Sequence, residues 1–518
     1  RTDNRIPVDL AAGESDSGND FVEYRCATLF DSWQLVSPNA GGTGDNPDGD
    51  IYTNTLEYAF CLPPEHGARA AYCIVPGIIG ELDLVFHRVA GGPQDLTYFL
   101  RYTNNLSTPA ASWTEVELST LGANLVITPD PSGLSEQVRI TNIKSLMPNG
   151  AMRGFYNFAI KMDYNNDDVF DVIDYTYVEG WQVVDVQANE CETYSTPFLP
   201  CPQFTGVVTS MTGLTLNLST SAPQTDFTPG AGMLAVAPAK YRIEVMSGPL
   251  NGHRFDVASG GLETLTLEAD TNVLTGAPYS SLDTSTPSLR AQLTGARIML
   301  VKYLTLGEMV PISQMTATND PETADRVLYN DGIAGWRTYW ADSNGGSPRW
   351  SIIGDLVTNR GTDIIAAHQS VFVHSRSNAK QIMSYGMVRQ SDFAQPISSA
   401  VPMLGVPYPM DMTPLQMGYL PANFTGSRDP ATSDQVLQWR NDGTFSSELD
   451  GYTGYWLNRS GARQQWSRIG DTGLTNHNGT AFINAGRGYW YNTRSSRALH
   501  VVPQPWSLPV RFTNNVAP

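Results

Sequence analysis

Apolar and polar residues alternate along much of the first third of the chain. Six short runs between residues 82 and 162 show the pattern: LDLVFHRV, LTYFLRYT, WTEVEL, ANLVITP, EQVRITNI and GFYNFAIKM. A period of two places successive side chains on opposite faces of a strand, and turn residues separate the runs. The pattern therefore predicts a β-sandwich. One further run, LEYAFCLPP, predicts a short helix that ends before Pro63.

The C-terminal part of the chain contains an internal duplication. DPETADRVL (320–328) returns as DPATSDQVL (429–437), WSIIGD (350–355) as WSRIGD (466–471), and IIAAHQSVFVHSRS (364–377) as FINAGRGYWYNTRS (482–495). Three similar segments in the same order, spaced by 109 to 118 residues, indicate two copies of one domain-sized β unit.

Charge is distributed unevenly along the 518 residues, which carry a formal net charge of −19. Residues 1–200 contain 28 acidic and 10 basic side chains, whereas residues 201–518 contain 23 and 22. An acidic N-terminal part disfavours nucleic-acid binding, which requires a basic face, and favours cation binding. No apolar run approaches the roughly 18–20 residues needed to cross a bilayer, so we predict no membrane span.

A first acidic loop has the ligand spacing of a calcium site. In NPDGDIYTNTLE, the side chains of Asn46, Asp48, Asp50, Asn54 and Glu57 occupy positions 1, 3, 5, 9 and 12 of an EF-hand-like loop, and Tyr52 offers its carbonyl at position 7. Calcium requires six to eight oxygen ligands, which this spacing supplies. The glycine expected at position 6 is replaced by Ile51. We predict that Ca²⁺ binds here and stabilises the fold.

A second acidic loop, DYNNDDVFDVID, fits the same template. Its side-chain ligands are predicted to be Asp163, Asn165, Asp167, Asp171 and Asp174, with the carbonyl of Val169 at position 7. The loop resembles one half of a dockerin-type calcium repeat, although Asp168 occupies the glycine position. The alternative is an acidic turn between two strands, because the preceding GFYNFAIKM alternates like a strand.

All five cysteines lie within the first 201 residues. None forms a CxxC motif, so the common zinc and haem signatures are absent from the sequence. The close spacings suggest Cys61–Cys73 and Cys191–Cys201 disulfides in an oxidising compartment. Cys26 is then left over, and is either buried and inert or bonded to another chain.

Two stretches resemble known groups of exported proteins. Residues 30–162 resemble an accessory module of exported bacterial proteins, on the strength of the first acidic loop and the segment LTYFLRYTNNLSTPAASWTEV. Residues 205–518 resemble an uncharacterised family of exported, β-rich bacterial proteins that often occur as many paralogues. The motifs that carry this second resemblance are GVVTSMTGLTLNL, SGPLNGHRFDV, LTLGEMVP and the ADRVL/SDQVL pair. Both resemblances imply export and a β fold, and neither implies an activity.

The sequence contains no recognised catalytic motif. HExxH, GxSxG, P-loop and dinucleotide fingerprints are all missing, so we expect a protein that is not an enzyme. Strand-like runs near the C-terminus carry Trp456, Tyr489, Trp490 and Tyr491. Such rings stack on sugars when exposed and belong to the core when buried, and alternation sends Tyr489 and Tyr491 to one face and Trp490 to the other.

Together these patterns predict an all-β protein of several sandwich- or barrel-like domains in tandem. The predicted units are an N-terminal arm (1–25), a calcium-loop and β-sandwich domain (26–200), a β domain (201–312) and two β repeats (313–405 and 406–518). The chain starts at Arg1, and we interpret it as a mature chain from which an export signal has been removed. We expect a secreted or cell-surface structural protein that assembles with copies of itself into a filament, sheath or layer. The alternative is a monomeric adhesin that binds cell-surface glycans through its C-terminal aromatic residues.

Overall fold

The computed structural model describes most of the chain. The described residues are 30, 33–34, 42–62, 70–78, 80–131, 133–163, 170–219, 241–260, 264–268, 288–330, 335–344, 346–355, 357–367, 369–397, 403–439, 451–461, 463–494, 497–506 and 512–513. The predicted arm (1–25) and Cys26 lie outside these residues. No helix within the described ranges has the length and apolarity that crossing a membrane requires.

The N-terminal part is a sandwich of two antiparallel sheets over one core. Its elements are α1 (Asn54–Ala59), β1 (Tyr72–Pro76), β2 (Leu82–Val89), β3 (Leu96–Thr103), β4 (Thr114–Glu117), β5 (Leu125–Pro129), β6 (Ser135–Ile140), β7 (Arg153–Met162), β8 (Val172–Tyr175) and β9 (Glu179–Val186). One sheet has the order β1-β2-β6-β5, and the other contains β9-β7-β3-β4 with β8 beside β7. Phe86 of the first sheet and Phe158 of the second pack together, with ring centroids 5.1 Å apart. All six predicted strands and the short predicted helix are confirmed.

A closed six-stranded barrel follows the sandwich. The next elements are β10 (Cys191–Tyr194), β11 (Phe198–Leu199), β12 (Phe204–Thr212), β13 (Thr215–Leu218), β14 (Tyr241–Val245), β15 (Arg254–Gly260), β16 (Thr264–Leu267), α2 (Ser288–Leu293) and β17 (Arg297–Lys302). The barrel order is β12-β13-β16-β15-β14-β17. Alternation along β17 sends Ile298 and Leu300 into the barrel core and Met299 and Val301 into the sandwich core. The barrel and the sandwich therefore share a buried apolar seam.

The duplicated part forms two five-stranded sheets of the same design. Its elements are α3 (Leu306–Met309), β18 (Arg326–Asn330), β19 (Trp336–Asp342), β20 (Arg349–Ile352), β21 (Val371–His374), β22 (Lys380–Val388), β23 (Phe393–Ile397), β24 (Met403–Gly405), β25 (Gln435–Trp439), β26 (Tyr452–Asn458), β27 (Gln465–Arg468), β28 (Gly488–Asn492), β29 (Arg497–Val502) and β30 (Phe512–Thr513). The sheet orders are β10-β21-β18-β19-β20 and β24-β28-β25-β26-β27. The two orders correspond strand by strand, which confirms the duplication.

Equivalent side chains make equivalent bonds in the two copies. A buried aspartate before the first strand, Asp325 or Asp434, accepts two backbone N–H groups, at 2.6 and 2.7 Å in the first copy and 2.8 and 2.6 Å in the second. A buried tryptophan on the third strand donates its indole N–H to a carbonyl, at 3.0 Å for Trp350 and 2.9 Å for Trp466. These matched bonds explain why the DRVL/DQVL and WSxIGD segments recur.

Strands from distant parts of the sequence share sheets. β10 completes the sheet of the first repeat, and β22 joins the large sandwich sheet between β11 and β9. The domain boundaries expected from the sequence stay a prediction. β10 and β22 each pair with strands on the other side of such a boundary. The all-β architecture itself is confirmed.

The disulfide pairing expected from sequence spacing is wrong. Cys73 on β1 is bonded to Cys201, with Cα atoms 5.9 Å apart, and Cys191 is a free thiol. Cys61 is disulfide-bonded as well, to a partner other than Cys73. The physical reason is topological: Cys191 begins a strand that runs to the first repeat, whereas Cys201 lies just before the barrel, beside the sandwich. The Cys73–Cys201 bond ties the sandwich to the entrance of the barrel.

Candidate metal centre

The first acidic loop is a tight turn that leads into α1. Gly49 has a positive φ of 71°, a conformation that side chains with a Cβ atom disfavour. Its N–H donates to the carbonyl of Asn46 at 3.3 Å, and the Asn46 amide donates to the carbonyl of Asp50 at 2.8 Å. The sharp bend is therefore made at Gly49, so Ile51 can occupy the position where an EF-hand has glycine.

Three carboxylates of this loop meet in the interior. One oxygen from each of Asp48, Asp50 and Glu57 lies within 4.8 Å of the others. Asp50 and Glu57 are completely buried, and Asp48 is 5% exposed. The loop brings Asp48 and Asp50 inward, and Glu57 reaches the same point from the first turn of α1.

Several oxygens in this cluster lack any hydrogen-bond partner within the described part of the chain. They are Asn46 Oδ1, Asp48 Oδ2 and both carboxylate oxygens of Glu57. A buried carboxylate without a donor costs far more free energy than a buried apolar group, and native proteins rarely contain one. Four such oxygens at three predicted ligand positions point to a cation as the missing partner.

Burial and mutual repulsion act together on these acids. Burial raises the pKa of Asp48, and burial followed by the charges of Asp50 and Asp48 raises the pKa of Glu57 well above its ordinary value. In the absence of a cation the three groups resist full ionisation. A bound divalent cation would remove this penalty because it supplies the opposite charge at the centre of the cluster.

The loop also lies against the barrel. Thr205 on β12 donates its hydroxyl to Asp50 Oδ2 at 3.3 Å, and Ser219, just after β13, donates to the carbonyl of Asp48 at 3.0 Å. A Cβ atom at Gly49 would lie 2.7 Å from the Val207 side chain, so a larger residue would push the loop off the strand. The acidic cluster is thus built at the seam between sandwich and barrel.

The donor set favours a hard cation. Every predicted side-chain ligand is a carboxylate or amide oxygen, and the cluster contains no sulfur or imidazole nitrogen. Oxygen-only sites suit calcium or magnesium, whereas zinc and copper prefer sulfur or nitrogen ligands. Of the three other predicted ligands, Asn54 and Tyr52 are also buried and Asn46 is half-buried. The structure thus brings Asp48, Asp50 and Glu57 together, and this triad can hold a metal ion. That Asn46, Tyr52 and Asn54 complete the ligand set stays a prediction.

The second acidic loop connects β7 to β8, which pair as an antiparallel hairpin. Asn165, Asp167 and Val169 lie outside the described residues. Among the residues that are described, Asp163, Asp171 and Asp174 do not meet in a ligand cluster. Asp174 accepts the N–H of Tyr175 at 3.0 Å and also the hydroxyl of Thr53, next to the first loop. Calcium binding by the second loop stays a prediction.

Some of the C-terminal aromatic residues lie in the protein core, and Trp490 lies at the contact between the two repeats. Tyr489, Tyr491 and Trp456 are buried, and the expected alternation along β28 is confirmed. Trp490 faces the other way, and its ring centroid lies 6.5 Å from that of Trp336. The Trp336 side chain is 49% exposed. Sequence reasoning missed Trp336, because it belongs to the other repeat.

Sequence reasoning also missed the barrel's share of the metal centre. Thr205 and Ser219 lie 155 and 171 residues after their partners in the loop. A threonine and a serine in β segments carry no local pattern that marks them as neighbours of an acidic loop. Only the docking of the barrel reveals them.

Known proteins do not extend this description. The resemblances of residues 30–162 and 205–518 to exported bacterial proteins stay predictions. Comparison with protein-family models, with curated proteins and with solved structures gives no match for this chain.

Proposed function

We propose that this protein is a structural β protein of the cell exterior that is stabilised by Ca²⁺ and assembles with copies of itself. The observation that carries the proposal is the buried Asp48–Asp50–Glu57 cluster, with its unpartnered oxygens, at the seam between sandwich and barrel. Such a site supports a role in holding the fold together. A catalytic metal, in contrast, needs an open coordination position that substrate can reach.

Calcium is the cation we assign to the site. The loop offers an amide oxygen, three carboxylates and a second amide at the spacing of a calcium loop. Magnesium usually keeps several of its waters, which a buried cluster has less room to accommodate. Extracellular modules bind calcium with dissociation constants of about 10⁻⁴–10⁻³ M, which fits a protein outside the cell.

The cation would stabilise the contact between the sandwich and the barrel. It would neutralise a loop that already contacts β12 and Ser219, the residue after β13, at a seam that the Cys73–Cys201 disulfide also crosses. A ligand that binds only the folded state stabilises that state in proportion to the logarithm of its concentration. Calcium and the disulfide thus support the same junction.

Self-assembly is supported by an exposed sheet edge. β5 pairs with β6 on one side and with no other described strand, and its Val126 and Ile127 side chains are 43% and 42% exposed. An exposed apolar edge strand is a template for strand addition by another chain. We propose that this edge takes part in contacts between copies.

Electron microscopy of the purified protein tests the proposal. In millimolar Ca²⁺ we expect ordered fibres or sheets that loosen after addition of EGTA and a reductant. The double variant Val126→Lys, Ile127→Lys should prevent assembly. The control Val357→Lys should not, because Val357 is 84% exposed but lies in the first repeat, away from β5 in the sequence. Discrete monomers under every condition would overturn the assembly proposal and leave the calcium site to be judged by binding alone.

Glycan binding is a second candidate, favoured by one observation. Trp336 is half exposed beside Trp490 and Phe372, and such a surface can stack on sugar rings. The candidate predicts a monomer that binds polysaccharide and loses binding on Trp336→Ala. Retention of binding by that variant would count against it.

A further inference from the structure

Asp174, the last residue of the second acidic loop, contacts the first loop. It lies on β8, where it faces inward like Val172, and it is 4% exposed. The hydroxyl of Thr53 donates to Asp174 Oδ2, and the N–H of Tyr175 donates to Asp174 Oδ1 at 3.0 Å. The carboxylate therefore holds Thr53 from a position 121 residues away in the sequence.

Thr53 immediately precedes α1, the helix that carries Glu57. A threonine at this position usually caps the helix with its hydroxyl, but the Thr53 side chain makes no such bond. The first two N–H groups of the helix, those of Asn54 and Thr55, donate instead to carbonyls just before the acidic loop, at 3.0 and 3.1 Å. The Thr53 hydroxyl thus serves the contact with Asp174 and not the end of the helix.

The backbone of Thr53 determines where Glu57 lies. Its carbonyl accepts the N–H of Glu57 at 2.9 Å, in the first turn of α1. Glu57 is completely buried, and neither of its carboxylate oxygens has a hydrogen-bond partner in the described ranges. Because no hydrogen bond from the described chain orients the carboxylate, its place beside Asp48 and Asp50 depends on how the helix begins.

The other end of the second loop is also connected to α1. The N–H of Asp163 donates to the carbonyl of Asp95 at 3.3 Å, and Asp95 Oδ1 accepts the hydroxyl of Tyr58 at 2.6 Å. Tyr58 follows Glu57 directly in α1. The residues at both ends of the second loop are therefore connected to α1 or to Thr53 before it.

We propose that Asp174 is a positioning residue for the first loop, so that the β7–β8 hairpin sets how tightly that loop binds Ca²⁺. This inference rests on the calcium proposal made above. Asp174 acts through Thr53 on Glu57, the acid that completes the buried triad. Groups that hold metal ligands from behind change metal affinity by about 10- to 100-fold when they are replaced.

Titration calorimetry of the EGTA-stripped full chain with CaCl₂ tests the proposal. The binding event to follow is the one that Asp50→Asn removes, because it belongs to the first loop. Thr53→Val keeps the shape of the side chain without its hydroxyl and should weaken this event about tenfold or more. Thr53→Ser restores the hydroxyl and should restore the affinity. The matched control Thr114→Val, at an exposed position on β4, should bind as the unchanged protein does.

The partner of the hydroxyl is tested by a second variant. Asp174→Asn offers one acceptor to two donors and should also weaken the first-loop event. The double variant with Thr53→Val should bind no more weakly than the weaker single variant, because both changes break the same bond. If Thr53→Val does not fold, Asp174→Asn decides the question.

Thermal unfolding separates positioning from a merely structural role. Thr53→Val should lower the unfolding temperature more in calcium than in EGTA. An equal loss in both solutions, unchanged calcium affinity in Thr53→Val or in Asp174→Asn, or additive weakening in the double variant would overturn this inference and leave the calcium proposal intact. Absence of calcium binding by the unchanged protein would overturn both.

Discussion

Carboxylates are buried in two contrasting ways in this protein. Glu244 in the barrel is surrounded by Arg389, Arg242 and Arg254, and these cations outweigh its burial and lower its pKa to about 2. Glu57 is equally buried but faces Asp50 and Asp48, and its pKa is raised well above the ordinary value. Burial alone would raise the pKa of both groups.

The difference lies in where the positive charge comes from. At Glu244 the chain supplies its own cations, so the acid stays ionised inside the protein. At Glu57 the described chain supplies only further acids, which makes sense when the positive charge is a bound ion. The comparison therefore supports our proposal that a cation binds at the acidic loop.

The largest loss of stability is expected at Glu244, whose positive partners all come from the chain. Glu244→Gln should lower the free energy of unfolding by about 3 to 5 kcal/mol, because it leaves buried arginines without their shared acid. Equilibrium urea denaturation measures the loss, which should be the same in calcium and in EGTA. A loss that appears only in one of the two solutions would show that the two clusters are not separate.

At the acidic loop, the effect of one variant on the free energy of unfolding should reverse its sign when calcium is removed. In calcium well above its dissociation constant, Glu57→Gln should lose about 2 to 3 kcal/mol of stability, since the cation no longer binds tightly. In EGTA the same variant should be at least as stable as the unchanged protein, because one of three repelling carboxylates is gone.

Thermal unfolding in both solutions measures this reversal. Glu117→Gln, at a glutamate on β4 outside the loop, is the control and should behave alike in both. A Glu57→Gln variant that is destabilised equally with and without calcium would contradict a cation site.

The loop could be predicted from sequence because its ligands are local. Asp48, Asp50 and Glu57 lie within ten residues, and their spacing matches that of the ligands in an EF-hand-like loop. The strands of the sandwich were predictable for the same reason, since alternation is a local property. The duplication was visible because the matched bonds of Asp325 and Asp434 require the same residues in both copies.

Long-range pairing was not predictable. Arg389 is 145 residues from Glu244, and Cys73 is 128 residues from Cys201. Nearness in sequence suggested Cys61–Cys73 and Cys191–Cys201, but the chain turns away into different sheets between those positions. The contact of the loop with Thr205 depends on how the barrel docks, which no short pattern records.

Acid should weaken the barrel beside the Glu244 cluster. Burial, followed by the charge of Arg254, lowers the pKa of His253 to about 4 from an ordinary 6.5. The unfolded chain therefore binds a proton between pH 6.5 and 4 that the folded protein rejects, and stability falls as the pH drops through that window, by on the order of 2 to 3 kcal/mol. Glu244 adds a further loss from its ordinary 4.5 down to about 2.

Urea denaturation at pH 7, 5, 4 and 3 measures the His253 contribution. His253→Gln should flatten the loss between pH 6.5 and 4 and leave the loss below pH 4. An unchanged pH profile in that variant would exclude His253 as its source.

The smallest effect is expected where the barrel meets the loop. Thr205→Val removes the hydroxyl that donates to Asp50 and should cost about 1 kcal/mol. Thr209→Val, at an exposed position on the same strand, should cost less than about 0.5 kcal/mol. Equal losses for the two variants, measured by urea denaturation in calcium, would show that the hydroxyl of Thr205 does not support the loop.

Calorimetric titration of the EGTA-stripped protein with CaCl₂ decides whether the Asp48–Asp50–Glu57 cluster holds Ca²⁺. We expect saturable binding and the loss of one binding event in Asp50→Asn. Binding curves that are identical for the unchanged protein and Asp50→Asn, or no binding by either, would contradict this expectation.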